Sequence, residues 1–192
     1  ENMKNFGQSV IVSFNKFHFD TDEEVNYLSD WCDKNGVAFA INNGFVEGGK
    51  GAAALAEKVV DVIENNPSKD INFTYADEDG LRTKIEKIAT KIYRAKDVAF
   101  GAGTLTKIKN LEAQGYGNLP ICIAKTQYSF SDDAKKICAP EGFTITIRDI
   151  VINAGAGFVV AVAGDIMRMP GLPKDPQANH IKLVDGEIEG LS

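Results

Sequence analysis

Short apolar runs that alternate with amphipathic stretches constrain the fold of this chain most strongly. Residues 8–14 (QSVIVSF) and 37–41 (VAFAI) are compact and rich in β-branched side chains, as in strands buried on both faces. Between them, Val25, Leu28 and Cys32 recur at helical spacing. This order of elements predicts parallel strands connected by helices.

The same alternation continues along the chain. Thr21, followed three residues later by Glu24, predicts a capping box at the start of the first helix. The pattern predicts further helices in residues 52–66, 81–92 and 105–111, and further strands at 97–100, 120–125, 143–153 and 157–164. Residues 181–191 predict a terminal hairpin that turns at Asp185-Gly186. We therefore expect an α/β fold with a mostly parallel sheet and flanking helices, plus a C-terminal β-hairpin, in a single α/β unit over residues 1–192.

Charge and cysteine content exclude several classes of function. The net charge of -6 argues against a general nucleic-acid surface, which needs an excess of clustered Lys and Arg. No apolar run reaches the ~18 to 20 residues of a membrane helix. Three scattered cysteines and two histidines give no metal-binding spacing, so no metal site is expected, and the cysteine pattern favours the cytoplasm.

A glycine-rich loop follows the second predicted strand. Residues 42–51 (NNGFVEGGKG) place Gly44, Gly49 and Lys50 at the spacing of a phosphate-binding loop, G-x-x-x-x-G-K-[ST]. Backbone amides at a helix N-terminus favour an anion, and Lys50 would add positive charge. A phosphate site and a simple turn between strand and helix are both compatible with this pattern.

Three residues of the loop weigh against phosphate. Gly51 stands where a Ser or Thr would hold the metal ion, and Glu47 brings a negative charge into the loop. Phe45 has no role in cradling phosphate. The turn is therefore favoured over ATP binding.

Aromatic side chains follow the first predicted strand, at Phe14, Phe17 and Phe19. Parallel α/β sheets bind ligands beyond the carboxyl ends of their strands, so this segment and the glycine loop are expected to lie close together. Facing aromatic rings there would form a slot for a flat ligand. Closure of the end of the core by these side chains is the alternative.

Two further stretches carry dense polar or glycine-rich sequence. Residues 125–133 (KTQYSFSDD) form a candidate ligand loop through Lys125, Gln127 and Tyr128, or a solvated loop with a capping serine or aspartate. Residues 153–173 combine a G-A-G turn, an apolar strand and a proline-rich loop, but not the dinucleotide fingerprint.

Long motifs resemble one enzyme family over essentially the whole chain. Residues 118–133 (NLPICIAKTQYSFSDD), 142–173 (GFTITIRDIVINAGAGFVVAVAGDIMRMPGLP) and 46–51 (VEGGKG) are similar to the C-terminal portion of formate–tetrahydrofolate ligase. The resemblance implies a ligase that uses ATP and Mg²⁺ to join formate to tetrahydrofolate through formyl phosphate. The family's phosphate loop lies upstream of the matched segment. We therefore expect a fragment that lacks the N-terminal ATP-binding part and is inactive alone.

The resemblance also assigns folate-binding residues. The family patterns N-x-F-P-T-D-T and W-x-x-G-G-x-G match NKFHFDT and FVEGGKG, which places pterin-stacking aromatics at Phe17 and Phe45. Phe45 replaces the family tryptophan, while His18 and Phe19 replace a proline and a threonine. Ile41 occupies an apolar pocket position. Catalytic residues are not assigned, because the resemblance places them in the missing part.

Three functions of different classes follow from these observations. The first is the folate-contacting part of the ligase, with the N-terminal part of the same enzyme as its partner and no role for nucleic acid or membrane. The second is a stand-alone phosphate- or nucleotide-binding module. The third is an oligomerisation domain, since the family enzyme is expected to form homo-oligomers.

Overall fold

The computed structural model describes residues 1–166 and 174–190, which group into two compact units. The first contains Glu1–Asp79 and Lys87–Ile92, and the second contains Gly80–Glu86 and Tyr93–Ser192. The prediction of a single α/β unit over residues 1–192 stays a prediction. Residues 167–173 of the predicted proline-rich loop lie outside the described residues.

The first unit is built around two parallel strands. Strand β1 pairs with β2 in parallel, from Ile11 opposite Ala38 to Asn15 opposite Asn42. In chain order its elements are α1 (Asn2–Asn5), β1 (Ile11–Asn15), α2 (Asp22–Lys34), β2 (Ala38–Asn42), α3 (Gly44–Glu47), a 3₁₀ turn (Gly48–Lys50) and α4 (Ala53–Asn65). The two strands and the helices between and after them confirm the predicted order.

Helix α2 begins at the predicted capping box. The Thr21 hydroxyl accepts a hydrogen bond from the Glu24 backbone N–H at 3.3 Å, and the Glu24 carboxylate accepts one from the Thr21 backbone N–H at 2.9 Å. The bond from the Thr21 backbone, followed by the bond from its hydroxyl, lowers the pKa of Glu24. The reciprocal bonds satisfy N–H groups that a helix start leaves unpaired, which explains why the helix begins here.

Helix α4 covers the two strands with only part of its apolar face. Leu55 and Val62 are half-buried, whereas Val59 and Ile63 are exposed, the latter at 63%. The helical spacing of these side chains correctly predicted the helix. It did not predict their burial, because a two-stranded sheet offers a narrow surface for packing.

The second unit contains a four-stranded sheet in the order β3-β5-β6-β4. Strand β3 is parallel to β5, β4 is parallel to β6, and β5 is antiparallel to β6. Its elements are the first residues of α5 (Leu81–Lys91), then β3 (Asp97–Phe100), α6 (Thr104–Leu111), a π turn (Glu112–Tyr116), β4 (Ile121–Ala124), β5 (Thr144–Asn153), a 3₁₀ turn (Ala154–Ala156), β6 (Phe158–Ala163), a 3₁₀ turn (Gln177–Asn179), β7 (Lys182–Val184) and β8 (Glu187–Glu189). Parallel pairs predominate in the two sheets, as predicted, and β7 and β8 pair antiparallel around Asp185-Gly186.

The core of the second unit lies on β5 and β6. Ile145 and Ile147 of β5 are fully buried and alternate with exposed Thr144, Thr146 and Arg148, so the predicted alternation is confirmed in the first half of β5. A lysine is also fully buried: the Lys84 ammonium donates to the carbonyl oxygens of Gly117 and Leu119, both at 3.2 Å. In the described parts of the chain, no helix is long and apolar enough to cross a membrane.

Candidate functional site

The carboxyl ends of β1 and β2 bring two loops together. Asn15 and Asn42 are register partners, and the Asn42 side-chain amide donates to the Asn15 side-chain oxygen at 3.0 Å. The Lys16 backbone N–H donates to the Asn42 carbonyl at 3.1 Å. The segment after β1 and the glycine loop after β2 therefore start side by side.

A hydrogen-bonded turn positions Phe17 after β1. The Phe17 backbone N–H donates to the Asp20 carboxylate at 2.7 Å, and the Asp20 N–H donates back to the Phe17 carbonyl at 3.1 Å. The Phe19 ring lies almost parallel to the Phe17 ring, with centroids 5.8 Å apart. His18 is exposed, and its ring lies edge-on to Phe19 at 5.0 Å.

Phe45 approaches Phe17 from the glycine loop. The two ring centroids are 6.4 Å apart and the ring planes are inclined by 45°. Phe45 is 89% exposed and Phe17 is 47% exposed. Ile41 is half-buried in β2, opposite Phe14 of β1. The structure therefore brings together the two aromatics that the resemblance selected and leaves both of them accessible.

The separation of the rings is close to what a flat ligand requires. Two aromatic contacts of about 3.5 Å each need ring planes about 7 Å apart. The Phe17 and Phe45 centroids are 6.4 Å apart but the planes are inclined by 45°, so one ring must turn before the two planes face each other at this spacing. Because Phe45 is almost fully exposed, its ring can turn parallel to Phe17 without displacing a packed core.

Several backbone amides of the glycine loop donate to carbonyl groups of the loop itself. It winds into α3 and the 3₁₀ turn, where Val46 and Glu47 donate to the Asn43 carbonyl at 3.1 and 3.0 Å. The Gly51 N–H donates to Gly48 and the Ala52 N–H to Gly49, at 3.1 and 3.3 Å. A phosphate-binding loop points such amides at its ligand instead. This geometry removes much of the support for phosphate binding here.

Gly51 explains why the phosphate pattern is incomplete. A Cβ atom at this position would lie 2.5 Å from the Asn43 carbonyl oxygen and 2.9 Å from the Glu47 Cβ. The Asn43 N–H also donates to the Gly51 carbonyl at 3.0 Å. The close approach of these backbones leaves no space for the Ser or Thr that would hold a metal ion.

We expect Gly51→Ser to destabilise the chain without creating a nucleotide site. The collision with the Asn43 backbone predicts a loss of about 1 to 3 kcal/mol in the free energy of unfolding. Gly49→Ser is the matched control, because a Cβ at Gly49 meets nothing within 4 Å. Urea denaturation would measure both. Equal stability of the two variants would contradict the close approach.

Lys125, Gln127 and Tyr128 lie together at a second location. In the second unit they line a cavity of about 390 Å³ that begins at the end of β4. The Lys125 ammonium donates to the carbonyls of Thr126 and Ser129. Burial lowers the pKa of Lys125, and the nearby Asp132 carboxylate partly opposes this shift. The predicted ligand loop therefore forms part of an actual cavity.

Sequence reasoning missed several residues at both locations. Tyr93, Phe130 and Cys138 also line the cavity around Lys125. Tyr93 lies more than thirty positions before Lys125, and no spacing signal connects the two. The parallel packing of Phe19 on Phe17 was also not predicted, although the two residues are only two positions apart in the sequence. No group of three or more metal-binding side chains occurs in residues 1–166 and 174–190.

Comparisons with known proteins match the whole chain to one enzyme family. The family model of formate–tetrahydrofolate ligase matches residues 1–192. Curated relatives named formate–tetrahydrofolate ligase include those of Bacteroides fragilis, at 58% identity over 191 residues, and Phocaeicola vulgatus, at 53% over 191 residues. The relative from Parabacteroides distasonis is 52% identical over 192 residues. These alignments cover 100% of the chain but only 34 to 35% of each relative, so the chain spans about a third of their length. The chain belongs to the formate–tetrahydrofolate ligase family.

Proposed function

We propose that this chain supplies the tetrahydrofolate-binding part of a formate–tetrahydrofolate ligase. The observation that carries the proposal is the approach of Phe17 and Phe45 to 6.4 Å at the carboxyl ends of two parallel strands. A pterin is a flat, polar heteroaromatic ring system that stacks on aromatic side chains. Stacking is worth about 0.5 to 1.5 kcal/mol per aromatic pair beyond burial.

The surroundings of the two rings support this role. Phe45 is more exposed than an aromatic side chain that only closes a core. Ile41, on β2, would supply apolar contact to the edge of the pterin, and His18 would line the rim. The side chains of Asn15 and Asn42 add polar groups at the ends of β1 and β2, where the two loops begin.

ATP, Mg²⁺ and formyl phosphate are assigned to the part of the enzyme that the relatives contain beyond this segment. The 192 residues hold no complete G-x-x-x-x-G-K-[ST] pattern, and the nearest match donates its Val46, Glu47 and Gly51 amides to its own carbonyls. In this proposal the N-terminal part of the enzyme activates formate, and this chain holds tetrahydrofolate so that its amine can react with the activated formate. The chain alone would therefore form no 10-formyltetrahydrofolate.

Assembly is a further element of the proposal. Exposed apolar side chains on α4, at Val59, Val60 and Ile63, are suited to contact with the rest of the enzyme or with a second subunit in a homo-oligomer. Three free cysteines accord with a reducing cytoplasm.

Calorimetric titration of the 192-residue chain separates the proposed function from nucleotide binding. We expect heat on addition of tetrahydrofolate and none on addition of ATP with Mg²⁺. Lys50→Ala should leave the tetrahydrofolate Kd unchanged, because Lys50 is exposed in the 3₁₀ turn. ATP binding that Lys50→Ala removes would favour a nucleotide-binding module instead, and the absence of any tetrahydrofolate heat would contradict the proposal.

A further inference from the structure

We propose that the cavity around Lys125 binds a small organic anion that carries a flat apolar group. The cavity lies in the second unit, whereas the Phe17 and Phe45 rings of the proposed pterin slot belong to the first, so the two proposals are tested on different residues. Its volume of about 390 Å³ is within the range of small-molecule sites. The charge, the hydrogen-bonding groups and the aromatic surfaces of its lining each point to this class of ligand.

The wall that carries Lys125 is held in place by a network of serine side chains. Ser131 is fully buried, and its hydroxyl accepts from the Asp133 N–H and donates to the Asp133 carbonyl, both at 3.0 Å. The Ser129 hydroxyl accepts from the Ser131 N–H at 3.0 Å and donates to the Lys136 carbonyl. A loop fixed in this way keeps the cavity open without a ligand, which lowers the cost of binding.

The charge of the lining favours an anion. No Asp or Glu is among the described residues that line the cavity, although the whole chain carries a net charge of -6. The Lys125 ammonium donates to two neutral carbonyl groups and lies 4.8 Å from the centre of the Tyr93 ring. No carboxylate of the described residues lies within ion-pair distance of it, and the nearby Asp132 carboxylate accepts from the Thr146 N–H instead. A partly desolvated ammonium without a carboxylate partner attracts a negatively charged ligand strongly.

Neutral donors surround this cation. A tyrosine hydroxyl is protonated near neutral pH and can donate, and burial raises the pKa of Tyr93 further above its ordinary value. Thr126, Gln127 and Tyr128 contribute further hydroxyl and amide N–H groups to the lining. Such groups suit the acceptor oxygens of a carboxylate or a phosphate monoester.

Aromatic side chains in the lining favour a flat apolar group next to the anionic group of the ligand. Tyr93, Tyr128 and Phe130 line the cavity, and the Arg94 guanidinium lies 4.9 Å from the centre of the Phe130 ring. A ligand that is only a small inorganic ion would leave most of the exposed Tyr128 side chain without contact. A flat apolar group next to the anionic group would cover it.

Binding of matched probes to the full chain tests the proposal. Benzoate and phenyl phosphate carry both features, benzyl alcohol lacks the charge, and inorganic phosphate lacks the ring. Amide chemical shifts in an NMR titration would report the Kd of each probe. We expect benzoate or phenyl phosphate to bind at least tenfold more tightly than both benzyl alcohol and inorganic phosphate. Tighter binding of benzoate would indicate a carboxylate ligand, and tighter binding of phenyl phosphate would indicate a phosphate ligand.

Lys125→Met removes the charge and keeps the apolar stem. We expect it to weaken binding of the preferred anion at least tenfold and to leave binding of benzyl alcohol unchanged. Lys135→Met, at an exposed lysine of the same loop, is the control and should change neither. If Lys125→Met fails to fold, Tyr93→Phe removes one donor and should weaken the anion alone. Equal binding of charged and neutral probes, or no binding of either aromatic anion, would overturn the proposal while leaving the pterin slot untouched.

Discussion

Replacement of both Phe17 and Phe45 with alanine is expected to remove most of the tetrahydrofolate affinity of this chain. Each ring would cover one face of the pterin, and loss of one stacking partner costs about 1 to 3 kcal/mol. Phe45→Ala alone should therefore raise the Kd roughly tenfold, and the double variant roughly a hundredfold or more. Calorimetry with tetrahydrofolate measures both values.

Two matched variants separate stacking from a general loss of aromatic surface. Phe73 is 74% exposed in the same unit, and Phe73→Ala should leave the Kd unchanged. Phe45→Trp enlarges the stacking surface at the position where the family pattern has tryptophan, and it should tighten binding. Unchanged affinity in the double alanine variant would remove the pterin from this slot.

Lys84→Met is expected to cause the largest loss of stability of the single substitutions considered. Methionine keeps the length of the side chain, but it leaves the carbonyls of the half-buried Gly117 and Leu119 without the ammonium that now donates to them. A buried polar group that loses its partner costs about 1 to 3 kcal/mol; because these two carbonyls are only half-buried, we expect a total loss of about 2 to 4 kcal/mol. Urea denaturation followed by circular dichroism measures it.

An exposed lysine provides the reference for this substitution. Lys109 lies on α6 with its side chain exposed, and Lys109→Met should change the free energy of unfolding by less than about 0.5 kcal/mol. If Lys84→Met also changed the free energy of unfolding by less than about 0.5 kcal/mol, the hydrogen bonds from Lys84 to the segment between the π turn and β4 would contribute nothing to stability.

Local signals in the sequence predicted the elements that carry the pterin slot. Thr21 and Glu24 set the start of α2 through hydrogen bonds between near neighbours in the chain. The β-branched runs identified β1 and β2, and their parallel pairing follows from the helix between them. The proximity of Phe17 and Phe45 was predictable because loops after adjacent parallel strands share one edge of the sheet.

Features that depend on tertiary contacts were not predictable in the same way. The internal hydrogen bonds of α3 and the 3₁₀ turn arise because the chain returns to Asn43 at Gly51, a closure that the glycine pattern does not encode. The antiparallel pairing of β5 with β6 inside an otherwise parallel arrangement follows from the short turn between them. The position of Tyr93 against Lys125 depends on packing between distant segments of the second unit.

Intermolecular NOEs between bound tetrahydrofolate and the phenylalanine rings test the placement of the pterin most directly. Ring protons of Phe17 and Phe45 should both show NOEs to protons of the pterin ring system, and ring protons of Phe73 should show none. NOEs to both rings would place the pterin between them. Saturable binding without NOEs to either ring would contradict this placement and move the folate site elsewhere in the chain.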